Sequence, residues 1–349
     1  MEELNERSKQ ILETVISSYI ATAGPVGSRT ITKRSNINLS PATVRNIMSD
    51  LEEMGFVSHP HTSAGRVPTD KAYRFYVDSI LKRIASEGEF PLSLNTDEEL
   101  KENRETMNVE NIMKWTSHYL SQFSNYIGII IAPKFSSTIF QHIEFINLRK
   151  HQILAIFVTK SGIVQHKVIK NDEDLPQDAL DKITKYLNEK FQGMALQDIR
   201  MELEEMMAEE KRTYDRLVEK AYYLGRLAFL SPEEEEIYFD GTANILSQPE
   251  FFNNVDEMKR IFSTLEQKSL LLRILDKCLD SDGMQIFIGS ESPVKETHGL
   301  SFITSVYKSR ERVLGTLGVI GPKRMDYFQI IPLVNYTANL LSKLFTEAE

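Results

Sequence analysis

Arg45, Asn46 and Ser49 are the residues of this chain best suited to read another molecule. A guanidinium, a carboxamide and a hydroxyl hydrogen-bond to base edges and to phosphate oxygens. At about 100° per residue they share one side of a helix with Ala42 and Glu53. Val44, Ile47, Leu51 and Met54, at 3-4-3 spacing, predict the buried stripe on the other side. Ser40 predicts the N-cap, Pro41 the first helical position and Gly55 the end. The polar residues fall in the N-terminal half, the part of a recognition helix that meets bases. Asp50, Glu52 and Glu53 fall later, where such a helix leaves the groove. A solvated helix face is the ordinary alternative, and the flanking chain decides between the two.

The flanks carry the elements that would position this helix. Phe56-Val57 begins a strand, and His61-Thr62-Ser63-Ala64-Gly65-Arg66 is a small cationic loop followed by Val67-Pro68. A wing uses such a tip to place hydroxyls and a guanidinium against phosphate or the minor groove. His59 and His61 find no Cys or carboxylate at metal-ligand spacing, so no metal is expected. Thr69-Asp70 caps a further helix that carries Lys71, Arg74, Lys82 and Arg83. Upstream, a first helix runs from about residue 4 to 22, and Ala23-Gly24-Pro25-Val26-Gly27 breaks it. Ser28 caps a short second helix through Thr32-Lys33-Arg34. Helix, break, short helix, helix and wing make a winged helix-turn-helix within about 85 residues. Its expected DNA contacts are Ser28, Arg29, Ser40, Thr43, Arg45, Asn46, Ser49, His61, Thr62, Ser63 and Arg66.

The chain has 349 residues and a net charge of −9, which taken whole argues against a polyanionic partner. The distribution removes the conflict. Residues 1–85 hold 11 Lys+Arg against 9 Asp+Glu, and the remainder holds 30 against 41. DNA contact is therefore restricted to the N-terminal module. The single Cys278 excludes an intramolecular disulfide and a Cys-based zinc site. The acidic start Met1-Glu2-Glu3 lacks a signal peptide's charge and apolar core, and the apolar runs are far shorter than a membrane span. A soluble cytoplasmic protein without cofactor or membrane partner is expected.

Beyond a polar stretch at 84–110, helices are expected at about 109–124 and 177–191. A buried strand is expected at 127–132 and an antiparallel meander over 141–169. A long helix over 198–230 places Leu203, Met207, Tyr214, Leu217, Ala221, Leu224 and Ala228 at heptad spacing, interrupted by Glu210. That face packs either in its own domain or against a second subunit, with Leu217, Ala221, Leu224 and Ala228 as the dimer seam. Tyr238-Phe239-Asp240-Gly241 reads as an aromatic turn. Helices over 251–279, strands near 286, 300 and 315, and a final helix over 325–345 complete an α+β multidomain chain.

Several runs resemble the HrcA family of bacterial heat-inducible transcription repressors. They are Gly24-Pro25-Val26-Gly27-Ser28, LSPATVRN from Leu39, PHTSAGRVPTD from Pro60, Tyr238-Phe239-Asp240-Gly241, and GTLGVIGPKRMDY from Gly315 to Tyr327. The likeness spans nearly the full length. Ala72 departs from it, standing where Gly is expected before the Tyr-Arg pair, a change that is harmless or slightly favourable inside a helix. The resemblance implies a winged-helix domain at 1–85 and a linker at 86–110. It implies a GAF-like domain from 111–138 and 232–349, with a dimerisation domain at 139–231 inserted into it. It further implies a homodimer on an inverted repeat, the CIRCE operator, upstream of chaperone operons. The GroE chaperonin would support its activity, so that unfolded proteins relieve repression by occupying the chaperonin.

Two other classes compete. A GAF-like domain could hold a small molecule that gates the repressor, though fold analogy alone does not establish a ligand. An enzyme would need a site. Gly315, Gly318 and Gly321 are spaced like a loose phosphate loop, but Leu317, Val319 and Ile320 make the run a strand, and no Lys-Ser/Thr pair follows. No enzymatic activity is expected.

Overall fold

The computed structural model describes residues 4–348 apart from 35–38, 61–64, 88–108, 134–138, 150, 161–163, 172, 174, 197, 200, 204–215, 230–235, 253–254, 280–282 and 311. The N-terminal module is built from α1 (Glu6–Thr22), α2 (Ser28–Arg34), α3 (Pro41–Glu53), β1 (Val57–Ser58), β2 (Val67–Pro68) and α4 (Asp70–Glu87). Ile11, Leu12, Val15 and Ile16 of α1, Ile31 of α2, and Val44, Met48 and Leu51 of α3 form its core. The buried stripe of α3 includes Met48 and leaves Met54 39% exposed. Met54 is the C-cap residue, where the chain already turns toward β1. The strands of the wing pair antiparallel, Val57 with Pro68 and Ser58 with Val67.

The second unit is a five-stranded sheet in the order β7-β3-β10-β9-β8, antiparallel throughout. It comprises β3 (Ile127–Ile131), β7 (Ile237–Asp240), β8 (Met284–Ile288), β9 (Leu300–Ser309) and β10 (Arg312–Pro322). Alternate side chains fill separate cores. Ile130, Ile303, Leu317 and Val319 pack with α5 (Val109–Ser124) and α12 (Tyr327–Ala348). Ile127, Ile129, Phe302 and Ile320 pack with α10 (Val255–Glu266) and α11 (Lys268–Leu279). Two helices cover each face, which explains why these strands read as continuous apolar runs. The two short helices α8 (Thr242–Leu246) and α9 (Pro249–Phe252) follow β7. The expected aromatic turn at Tyr238-Phe239-Asp240 is β7 itself, which pairs with β3 and ends at Gly241, where φ is +83°.

Between β3 and β7 the chain builds a third unit with its own core. The strands β4 (Phe140–Arg149), β5 (Gln152–Thr159) and β6 (Val164–Lys170) form an antiparallel meander. Phe140, Ile143, Phe145, Ile153, Ala155, Phe157 and Ile169 point from one face onto α6 (Gln177–Phe191) and α7 (Arg216–Phe229). The middle of the expected helix over 198–230 lies outside the described residues.

Candidate nucleic-acid interface

The recognition helix α3 is capped as its sequence requires. Ser40 Oγ accepts the Thr43 amide at 3.1 Å, and Thr43 Oγ1 lies 3.0 Å from Ser40 Oγ. Burying Val44, Met48 and Leu51 turns Ala42, Thr43, Arg45, Asn46 and Ser49 outward, all exposed. A guanidinium, a carboxamide and two hydroxyls thus face outward from the first nine residues of the helix. Arg29 is exposed on α2, whereas Ser28, expected as its cap, is half-buried as its first residue. The other end of α3 is fixed. Gly55, with φ +76°, allows the turn into β1. Lys71 Nζ donates to the Met54 carbonyl at 2.7 Å and stands 4.5 Å above the Phe56 ring. Thr69 Oγ1 donates to the Gly55 carbonyl at 2.7 Å.

The foot of the wing is equally tied. Val26 and Arg66 exchange backbone hydrogen bonds of 2.8 and 3.0 Å. A Cβ at Gly65 would come within 2.8 Å of Pro25, so only glycine allows this approach. The Arg66 guanidinium, expected to face phosphate, instead pairs with Glu52 Oε2 at 2.7 Å and touches the His59 ring. His59 Nδ1 lies 2.7 Å from Glu52 Oε1. Burial pushes the Glu52 carboxyl up, but the hydrogen bonds and charges of His59 and Arg66 outweigh it and hold it below its ordinary value. With its side chain 15% exposed, Arg66 joins the end of α3 to the wing. His61, Thr62 and Ser63, at the tip, lie outside the described residues. Glu52, His59 and Arg66 stand apart in the sequence, and only the hairpin geometry brings them together.

The residues expected as a dimer seam lie within the meander unit. Ala221, Leu224 and Ala228 are buried in the subunit's own core, and Leu217 packs against the same core. A Cβ at Gly225 would make ordinary contacts with Leu187 at 3.5 Å and Leu203 at 3.6 Å, so this side of α7 lies against that core. Within the single chain this face is occupied by the subunit's own core. The apolar surface lies on the other side of the meander. Ile146, Leu148, Val164 and Val168 are exposed there, with Ile146 and Val168 flanking Leu154 in register.

Gly315, Gly318 and Gly321 lie in β10, where a Cβ at Gly318 would collide with the Ile303 carbonyl. Their role is close strand packing. Among the described residues no group of three or more His, Cys, Asp or Glu could hold a metal ion, and no helix is long and apolar enough to cross a membrane.

Residues 3–79 match the family described as winged helix-turn-helix transcription repressor, HrcA DNA-binding, and residues 110–331 match the HrcA protein C terminal domain. The chain belongs to the HrcA family. The heat-inducible transcription repressor HrcA of Geobacter sulfurreducens is 46% identical over 347 residues, covering 99% of each chain. That of Syntrophobacter fumaroxidans is 42% identical over 351 residues, again covering 99% of each. A crystal structure described only as that of a hypothetical protein superposes with a TM-score of 0.67 at 23% identity, covering 99% of this chain and 100% of that one. It shares the fold. HrcA proteins are transcription repressors and not enzymes, and the DNA-binding part of this HrcA chain is its N-terminal winged helix.

Proposed function

We propose that the protein represses chaperone operons by binding the CIRCE inverted repeat as a homodimer in the cytoplasm. The observation that carries this reading is the capped, outward-facing row of Thr43, Arg45, Asn46 and Ser49 on α3. Arg45 and Asn46 would read base edges, while Ser40, Thr43, Ser28 and Arg29 would hold phosphate. His61, Thr62 and Ser63 would reach the backbone or minor groove from a wing that Arg66 and Glu52 hold in place. One winged helix covers too little DNA for a tight, selective site, and a two-fold dimer matches an inverted repeat. A purified-protein footprint on upstream DNA of its own genome tests the reading. Two protected half-sites about one helical turn apart, or a multiple of that distance, are expected. Unselective protection would refute it.

The units divide as a winged helix at 1–85, a linker at 86–110, a GAF-like body from 111–138 and 232–349, and a dimerising insert at 139–231. An antiparallel sheet with one face in the core is ordinarily polar on the other. The insert's sheet instead exposes Ile146, Leu148, Val164 and Val168, the composition of a surface that a second copy covers. Family likeness supports the GroE chaperonin as the partner that keeps the repressor active. Added chaperonin should then raise the fraction of purified protein competent in the footprint.

A further inference from the structure

The recognition helix is joined to the C-terminal body by a short series of polar contacts. Thr69 and Lys71 hold the end of α3, as described. Asp70, between them in sequence, turns the other way. Its Oδ2 accepts the Ser290 amide at 3.0 Å and the Ser290 hydroxyl at 2.9 Å, and its Oδ1 accepts Lys323 Nζ at 2.7 Å. One turn later, Arg74 Nε donates to Glu291 Oε1 at 2.8 Å. Arg74 Nη2 donates to the Ile286 carbonyl at 2.6 Å and also meets Glu291 Oε2. Glu291 is itself fixed by the Ile288 amide at 2.9 Å. Beneath these contacts Tyr73 is buried with its ring centroid 6.0 Å from that of Tyr327. A second strut joins Arg324, which pairs with Glu250, to the Ile20 carbonyl at the end of α1.

Adjacent residues therefore face opposite ways, one pair into the DNA-reading module and the other into the body. A bidentate guanidinium–carboxylate pair fixes orientation as well as distance. Burial raises the Asp70 carboxyl, but Lys323 and Ser290 outweigh it and hold it below its ordinary value, so it stays ionised.

We propose that Asp70 and Arg74 are positioning residues that set the pose of the recognition helix on the body, and thereby the half-site spacing that a dimer accepts, without touching DNA. The spacing arm rests on the reading of the protein as a dimer on an inverted repeat. In a bivalent complex the gain from the second contact is large when geometry matches and vanishes when it does not.

The test compares the full-length protein with Arg74→Ala and with Asp70→Asn. Binding is measured on inverted repeats whose central spacer is lengthened or shortened stepwise, and on a single half-site. In parallel, spin labels at Glu53→Cys and Lys295→Cys, in a Cys278→Ser background, report the distance from recognition helix to body without DNA. The parent protein should prefer one spacer by on the order of a hundredfold and give a narrow distance distribution. Both variants should broaden the distances and narrow the spacer preference to under about tenfold, with half-site affinity unchanged. Unbroadened distances, or a full spacer preference in both variants, would overturn the proposal. A parent protein that binds no inverted repeat would sink the operator reading instead, and the distances alone would then decide whether the clasp sets the pose.

Discussion

The recognition helix α3 and the helix α7 are both amphipathic, and both offered a side for an external partner. On α3 that side is polar. Leaving Arg45, Asn46 and Ser49 in water carries no penalty, so a face that need not be buried stays free. On α7 the proposed side is apolar, and the subunit buries it: Leu224 is 0% exposed. Apolar periodicity states that a face is covered but not by which chain. The polar face of a capped helix says more about outside partners because the core has no use for it.

The strongest test of this contrast is Leu217→Asp with Leu224→Asp. Charge placed in α7's buried seam should cost several kcal/mol and unfold the β4–β6 unit itself. Circular dichroism and thermal melting should show a lost cooperative transition. A folded monomer from this variant would restore α7 as the subunit contact.

Ile146→Asp with Val168→Asp, on the exposed sheet face, should do the opposite. The subunit should stay folded, and its melting temperature should fall only by what dimerisation adds. Sedimentation should show monomers, and operator affinity should fall by about 10²- to 10⁴-fold with the loss of bivalency. A stable dimer would move the contact elsewhere.

On α3, Arg45→Ala should weaken specific binding by about 1–3 kcal/mol while binding to random DNA changes little. Equal losses on both would reduce Arg45 to a phosphate contact. Arg66→Ala should have the smallest effect. Paired with Glu52, it should alter the log–log salt slope by less than about one unit, against a full unit for a free phosphate contact. A full unit would mean that Arg66 leaves Glu52 when DNA binds.

Local structure was legible wherever caps and periodicity agreed. Ser40-Pro41 and the stripe from Val44 to Leu51 located α3, and the limits expected for α5 and α6 are those observed. Contacts remote in sequence were not legible. Arg74 and Glu291 are 217 positions apart, and nothing local to either announces the other. Arg74 therefore read only as a surface cation of α4. Arg66 misled for a related reason: a cation in a glycine-containing loop looks free until the hairpin carries it to Glu52. At Tyr238-Phe239-Asp240 the short aromatic run gave too few residues to separate a turn from an edge strand.

The chain leaves the five-stranded sheet at Ile131 and returns at Ile237, its direct neighbour across the ladder, and the Ala132 amide bonds the Glu236 carbonyl at 2.9 Å. The meander unit thus enters and exits through a doorway one strand wide. A tight turn could close that doorway and leave the body's hydrogen-bond ladder whole. The same doorway could admit a different module, so what is inserted there can be exchanged independently of the winged helix.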